Sequence, residues 1–398
     1  MTDYLSQELQ QIREQGLFRT LRRIDASSDT ETVLEGKKVL LFSSNNYLGL
    51  ANDSRMKEKA IEAIKQFGTG SGGSRLTTGN LSLHEQLERD IASFKGKEAS
   101  LVFSSGFLAN VGIISTLMKQ GDVILSDSLN HASIIDGCRL SKADTVIYNH
   151  VDMNDLEKKL QSVTSYQRKL IVTDGVFSMD GNIAPLPAIV SLAQKYGAMV
   201  MVDDAHSTGI LGKTGAGTAE YFGLTNQIDL LMGTLSKSIG AEGGYVAASH
   251  SLIQYLRNKA RSFIFQTALS PSVVAASIEG IRIIREERER SVRLLENAEF
   301  LRNGLKKSGF SLVDGSTPIL AVLIGSAQDA VHFSKRLEEE GIFAPAIRPP
   351  TVPEGMSRIR LTIMATHRQE QLEYALHTFV KIGKEMNLLS TKNVMQSK

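Results

Sequence analysis

Tryptophan is absent from this 398-residue chain and cysteine occurs once, as Cys138. One cysteine excludes an intramolecular disulfide framework, and without a CxxC pair no structural zinc site is expected; a reducing cytosol fits. A charge excess is missing too: 45 Lys and Arg face 43 Asp and Glu, a formal net of +2. That balance supplies no field able to hold a nucleic-acid backbone or an anionic membrane, so small-molecule partners are expected. No apolar stretch approaches the roughly 20 residues that span a bilayer, because Asp, Ser or Gly interrupts each one. The polar, acidic start Met1-Thr-Asp-Tyr-Leu-Ser-Gln-Glu is unlike a secretory signal and reads as a surface helix. The expected compartment is the cytoplasm. Asn52-Asp-Ser54 and Asn80-Leu-Ser82 match the glycosylation tripeptide, which matters only in a secreted chain.

The length calls for one large domain and a smaller one. Between about residues 98 and 250, short β-branched apolar runs alternate with helix-period segments, the signature of a mostly parallel sheet covered on both faces. Strands are expected at 99–104, 122–127, 144–149, 169–174, 198–204 and 229–236, with helices such as 107–118, 153–163 and 186–196. A long Glu- and Arg-rich helical stretch, 271–308, reads as a solvated helix or an interdomain connector. Beyond it, strands at 319–325, 343–347 and 358–364 and helices at 328–340 and 369–386 make a smaller α+β domain, and the polar tail 390–398 is expected to be disordered. The division is therefore an N-terminal segment 1–50, a large α/β domain 51–270, and a connector with the C-terminal domain 271–398.

Two glycine motifs are decoys. Gly68, Gly70 and Gly73 match the dinucleotide fingerprint G-x-G-x-x-G, but a helical segment, 56–67, precedes them where the fingerprint needs a strand. Gly212-Lys-Thr214 lacks the earlier glycine of a Walker A loop, since position 207 is Ser. Dense glycines are better explained by close backbone approach to a ligand or a neighbouring subunit.

In open α/β sheets, ligands bind at the carboxyl ends of the strands. The strand in Ala198-Met-Val-Met-Val-Asp-Asp-Ala-His206 ends in two carboxylates and an imidazole. A buried carboxylate there costs several kcal/mol unless a cation meets it. A protonated pyridine nitrogen is such a cation, and Asp203 is the residue chosen to hold it; His206 is left to bond the ring oxygen O3′ or to orient Asp203. Lys237, in Gly233-Thr-Leu-Ser-Lys-Ser-Ile-Gly240, follows the 229–236 strand at the same sheet edge. Its amine suits the aldehyde of pyridoxal 5′-phosphate (PLP), with the Thr234 hydroxyl nearby for phosphate. The turn Ser104-Ser-Gly-Phe-Leu-Ala-Asn110 would leave Gly106 and Phe107 N–H groups at a helix start, an anion site. His131 closes another strand where it can stack on the ring, and Ser178, in Asp174-Gly-Val-Phe-Ser-Met-Asp-Gly181, can reach O3′.

These segments, in this order from Ser44-Asn-Asn-Tyr-Leu-Gly-Leu50 to Arg358-Ile-Arg-Leu361, resemble the α-oxoamine synthases over nearly the whole chain. The resemblance implies a fold-type I PLP-dependent transferase, with a mostly parallel seven-stranded sheet, that condenses an amino acid with an acyl thioester and loses CO2. It implies that Lys237 is the Schiff-base lysine and later the base that takes the α-proton, that Asp203 is the pyridinium partner, and that His131 is the stacking ring and assists the ketone oxygen. Ser178 and His206 become the O3′ neighbours, and Gly106, Phe107 and Thr234 hold phosphate. It further implies a homodimer with shared sites, in which Thr267 is given to the partner's phosphate. The segment Ala346-Ile-Arg-Pro-Pro-Thr-Val-Pro353 points to the branch that uses L-alanine and a pimeloyl thioester, on CoA or an acyl carrier protein; a glycine acetyltransferase is the alternative. Arg348 would grip the amino-acid carboxylate, and Arg22, with Arg19 as rival, the far carboxylate of the acyl chain. Asn46 and Thr351 complete the expected substrate contacts. Phe107 stands where many members have Tyr, and Asp174 where they have Glu.

Overall fold

The computed structural model describes residues 3–14, 17–27 and 29–389; the tail 390–398, expected to be disordered, lies outside them. A seven-stranded sheet runs in the order Ala99–Phe103, Gly244–Ala248, Leu230–Thr234, Met199–Asp203, Lys169–Asp174, Val123–Asp127, Asp144–Tyr148. Each of the six expected strands is present, with ends displaced by a residue or two. Only Gly244–Ala248 runs against the rest, pairing antiparallel with both neighbours. It was not expected from sequence because Gly and Ala are poor strand formers. The site explains its composition: a Cβ at Gly244 would lie 2.6 Å from Gly106 N, so only glycine lets the strand pass the start of the helix Gly106–Leu117.

Both faces of the sheet are dry. Helices Gly106–Leu117 and His250–Lys259 cover one with Ile113, Ile114 and Leu256, while Met153–Ser162 and Leu186–Tyr196 cover the other with Leu156, Leu160 and Ile189. Burial on both faces is why these strands are continuous apolar runs, and why polar residues collect at their ends.

The stretch 271–308 is neither one helix nor solvated. It breaks into Pro271–Glu286 and Glu289–Lys307, and both bury an apolar stripe, Val274, Ile281 and Ile284 on the first and Leu294, Ala298 and Leu301 on the second. The charged run sits at the joint, where Arg290 pairs with Asp53 at 3.2 Å and with Glu287 at 2.7 Å, and Arg55 pairs with the same two acids. Its charge masked a buried helix because one face carried all of it.

The C-terminal part holds an antiparallel sheet ordered Ile319–Gly325, Ser357–Thr362, Ala346–Ile347. The expected strand 343–347 is two short strands in different sheets. Ile342–Phe343 pairs parallel with Lys37–Leu41 of the N-terminal hairpin, and Pro345, lacking an N–H, interrupts the ladder before Ala346. At the glycine-rich segment, Gly68 ends the helix Ser54–Phe67 with φ of +81° and no helix begins until Ser82, so the dinucleotide fingerprint is not built.

Candidate active site

Adjacent strand ends bring the side chains together. Asp203 and Asp174 are register partners at the carboxyl ends of neighbouring parallel strands, and Leu230–Thr234, on the other side of Asp203, leads directly into Lys237. A cavity of about 190 Å³ is lined by Gly106, Phe107, His131, Ser178, Asp203, His206, Thr234 and Lys237 together. Residues up to 131 positions apart in sequence therefore face one space.

Asp203 is 4% exposed, and its carboxylate accepts from Asn110 Nδ2 at 2.7 Å and from Ala205 N at 2.9 Å. Both donors are neutral, and no cation forms an ion pair with it among the described residues. Burial holds the Lys237 amine below the usual lysine range, against the pull of Asp203 and Asp174 and with help from Arg360. Its Nζ has no hydrogen-bond or ion-pair partner among the described residues. A buried anion and a half-buried amine, neither with an ion-pair partner among the described residues, face the same cavity.

His131 caps the helix Ala132–Ser141: its Nδ1 accepts from Ser133 N at 3.2 Å, which leaves Nε2 to carry the proton. The His131 backbone N–H donates to Asp174 at 2.9 Å. Burial, and then the nearby Asp203 charge, push the Asp174 carboxyl well above the ordinary aspartate range. His206 meets the Tyr47 hydroxyl through Nδ1 at 2.6 Å, and burial, reinforced by Lys237 and Arg360, holds it well below the usual histidine value. It is a neutral ring.

At the other end of the cavity, Ser105 caps the helix Gly106–Leu117 by accepting from Leu108 N at 3.1 Å, so the first-turn N–H groups of Gly106 and Phe107 are left for an outside acceptor. Thr234 Oγ1 donates to Gly243 O at 2.8 Å and touches Ser236 Oγ at 2.8 Å. A Cβ on Gly106 would lie 3.3 Å from Thr234 Cβ, so glycine lets the helix start close against the strand end. An anion cradle, an unpaired carboxylate and an unpaired amine fit the phosphate, the pyridine nitrogen and the aldehyde of PLP in turn.

The family profile for aminotransferase class I and II matches residues 37–379. The chain belongs to that family. Among its relatives, the 8-amino-7-oxononanoate synthase of Lysinibacillus sphaericus is 60% identical over 389 residues, 98% of this chain and 100% of that one. The 8-amino-7-oxononanoate synthase 2 of Bacillus subtilis is 54% identical over 386 residues, 97% and 99% of the two chains. A solved structure of SPT with PLP as an internal aldimine superposes with a TM-score of 0.93 at 36% identity, covering 98% of each chain. The fold-type I PLP-dependent transferase architecture and the PLP cofactor, both expected from sequence, are thus established.

Not every expected residue reaches this aminotransferase-type cavity. Thr267 bridges to Ser74 and lines a separate recess with Gln266 and Ser104. Asn46 is buried and its Oδ1 accepts from Ala51 N at 3.1 Å. Arg22 is held by Glu35 at 2.8 Å and Glu338 at 2.7 Å. Arg348 and Thr351, just past the strand Ala346–Ile347, line a cavity of about 550 Å³ against Leu9, Phe18 and Arg19 of the N-terminal segment. The guanidinium whose charge bears on Lys237, His206 and Tyr47 is that of Arg360, which donates to Ser178 O at 2.5 Å and Thr362 Oγ1 at 3.0 Å. Arg360, Asn110 and Ser133 were not singled out as site residues from sequence; the only signal for Arg360 was an arginine in a run otherwise fit for a buried strand.

Proposed function

We propose that the chain catalyses the decarboxylative condensation of L-alanine with a pimeloyl thioester, giving 8-amino-7-oxononanoate, CO2 and a free thiol, a step of biotin biosynthesis. The observation that carries this is the placing of the Lys237 amine and the Asp203 carboxylate, neither with an ion-pair partner among the described residues, across one cavity beside an anion cradle. Near-full-length identity to the two synthases supports the choice of substrates.

When bound, PLP supplies an electron sink that makes the α-hydrogen and the carboxylate of an amino acid labile. The protein does the rest. Asp203, kept in place by Asn110 and Ala205, holds the ring nitrogen protonated. Lys237 would hold the cofactor through its carbonyl, and its Nζ, freed when the substrate amine takes that place, would accept the alanine α-proton, a role its lowered basicity permits. His131, with its proton on Nε2, would lie against the cofactor ring and would donate to the acyl oxygen as the C–C bond forms and the thiolate leaves. His206 and Ser178, which line the same cavity, would hold O3′. The alanine carboxylate goes to Arg360, whose charge acts on the Lys237 amine, in place of Arg348. Arg348, Arg19 and Thr351 take the far carboxylate of the acyl chain, since both glutamates beside Arg22 occupy it. Asn46 orders the loop in front of the cofactor through its bond to Ala51 N.

The working form is a homodimer in the cytoplasm. Thr267 is exposed beside Phe265, which is 71% exposed, and lies outside its own chain's cavity, as expected of a residue given to the partner's phosphate. CoA or an acyl carrier protein carries the acyl group. The product mass from alanine with a set of acyl thioesters tests the reaction. A product of the pimeloyl donor is expected; preference for glycine with acetyl-CoA refutes the substrates, and a visible band that survives Lys237→Ala refutes the cofactor's anchor.

A further inference from the structure

Directly behind Asp203 lies an ion pair that the chemistry above does not use. Lys95, the last residue of the helix Ser82–Lys95, donates to Asp204 Oδ2 at 2.8 Å, and both side chains are 0% exposed. Lys95 Nζ also donates to Ala216 O. The other Asp204 oxygen accepts from Ser207 Oγ at 2.6 Å, Thr218 Oγ1 at 2.5 Å and Thr218 N at 3.2 Å. Consecutive residues at a strand end point to opposite sides, so Asp203 faces the cavity and Asp204 faces this network.

The backbone couples the two. Asp203 O accepts from Gly175 N and Asp204 N donates to Met232 O, both at 2.8 Å, while Asp204 O accepts from Ser207 N and Thr208 N. The Asp204 clamp thus sets the turn that carries Ala205, whose N–H holds Asp203, and His206. Charge matters as well. Asp174, Asp203 and Asp204 crowd two neighbouring strand ends, and a third uncompensated carboxylate would add to the load that already burdens Asp174. Burial opposes the Lys95 ammonium, but Asp204 and Tyr245 outweigh it and raise its basicity, so the cation persists.

We propose that Lys95 is a positioning residue for PLP: through its buried pair with Asp204 it fixes the 203–206 turn and cancels the negative charge behind Asp203. The proposal rests on PLP binding at Lys237. The charged and titratable groups that act on Asp203 are Asp174, His131, Lys237 and Tyr245; His206 shares its cavity, Arg360 acts on Lys237 and His206, and Tyr245 also faces Lys95.

The test follows the pH midpoint of the visible absorption of the bound cofactor, together with PLP dissociation and thermal unfolding. Lys95→Met leaves extra negative charge, which favours the protonated cofactor, so its midpoint rises by about half a pH unit or more and PLP is held several-fold more weakly. Asp204→Asn leaves extra positive charge, and its midpoint falls. The double variant restores neutrality and returns the midpoint to the wild-type value. Midpoints that stay put, or move the same way in both single variants, overturn the proposal and make the pair a structural staple. If Lys95→Met does not fold, the contrast between Asp204→Asn and the double variant decides. A wild-type protein that shows no cofactor band defeats the PLP reading itself, a result separate from either mutant pattern.

Discussion

At the scale of single residues, the site is built from mismatched neutralities. Asp203 has hydrogen bonds from neutral donors only, Lys237 feels the charges of Asp203 and Asp174 without a hydrogen bond or ion pair among the described residues, and His206 and the Asp174 carboxyl are pushed towards their uncharged forms by burial. Such a set is expensive to fold and suits a charged aromatic ligand that satisfies it on arrival. Asp203, which ends a strand, and His131 and Lys237, which lie three or four residues beyond one, were legible because an apolar run that stops at titratable groups announces a site. Arg360 was not, since Arg358 and Arg360 alternate in one strand and nothing local separates them: Arg358 is consumed by Asp180, and Arg360 is left beside Lys237. Arg360→Lys should raise the KM for alanine by roughly tenfold or more, because a bidentate fork becomes a point charge, and leave the KM for the acyl thioester nearly unchanged. Arg348→Gln should do the reverse. Initial rates with each substrate varied separate the two, and a rise in the alanine KM from Arg348→Gln alone would restore Arg348 as the amino-acid anchor.

At the scale of elements, the start of the helix Gly106–Leu117 serves both fold and cofactor. Ser105 caps it, Gly106 touches Thr234, and Gly244 is glycine so that the neighbouring strand can pass. Ser105→Ala should lower stability by about 1 kcal/mol, the usual worth of such a cap, and weaken PLP retention as the first turn loosens. Urea denaturation of the PLP-free protein reads the first effect and a PLP titration the second. Stability unchanged within a few tenths of a kcal/mol would mean that strand contacts, and not the cap, hold this turn. Elements with one strong periodicity, such as Lys169–Asp174 and Leu186–Tyr196, match the sequence expectation residue for residue. Gly244–Ala248 and the break before Glu289 did not show, because one is shaped by a neighbour's backbone and the other by packing against Asp53 and Arg55.

For the whole molecule, buried imidazoles predict an acid-sensitive fold. Burial holds His84, His206 and His367 below the usual histidine value of 6.5, His367 down to about 4, stacked on Phe42 at 4.4 Å. Below pH 6.5 the unfolded chain takes protons that these folded rings refuse, so stability is full above that pH and falls as pH drops towards 4. Each such ring contributes up to about 1.4 kcal/mol per pH unit. Asp174 opposes the trend, since its raised value lets the folded state hold a proton that the unfolded chain releases. Denaturant midpoints of the PLP-free protein at pH 7 and pH 5 should differ by more in the wild type than in His367→Gln; equal differences would show that His367 is not a source of the slope.

The sequence by itself determined the class of fold and the chemistry: apolar run lengths dictate parallel strands buried on both faces, and the residues that close those runs must share one edge. Tertiary structure alone decided which arginine stands beside Lys237, that Glu35 and Glu338 occupy Arg22, and that Lys95 lies behind Asp203. Strand ends are a local property, written in consecutive residues. The partner of a buried charge depends on contacts between distant segments, 109 residues apart for Lys95 and Asp204 and 178 for Arg358 and Asp180, and no local pattern encodes them.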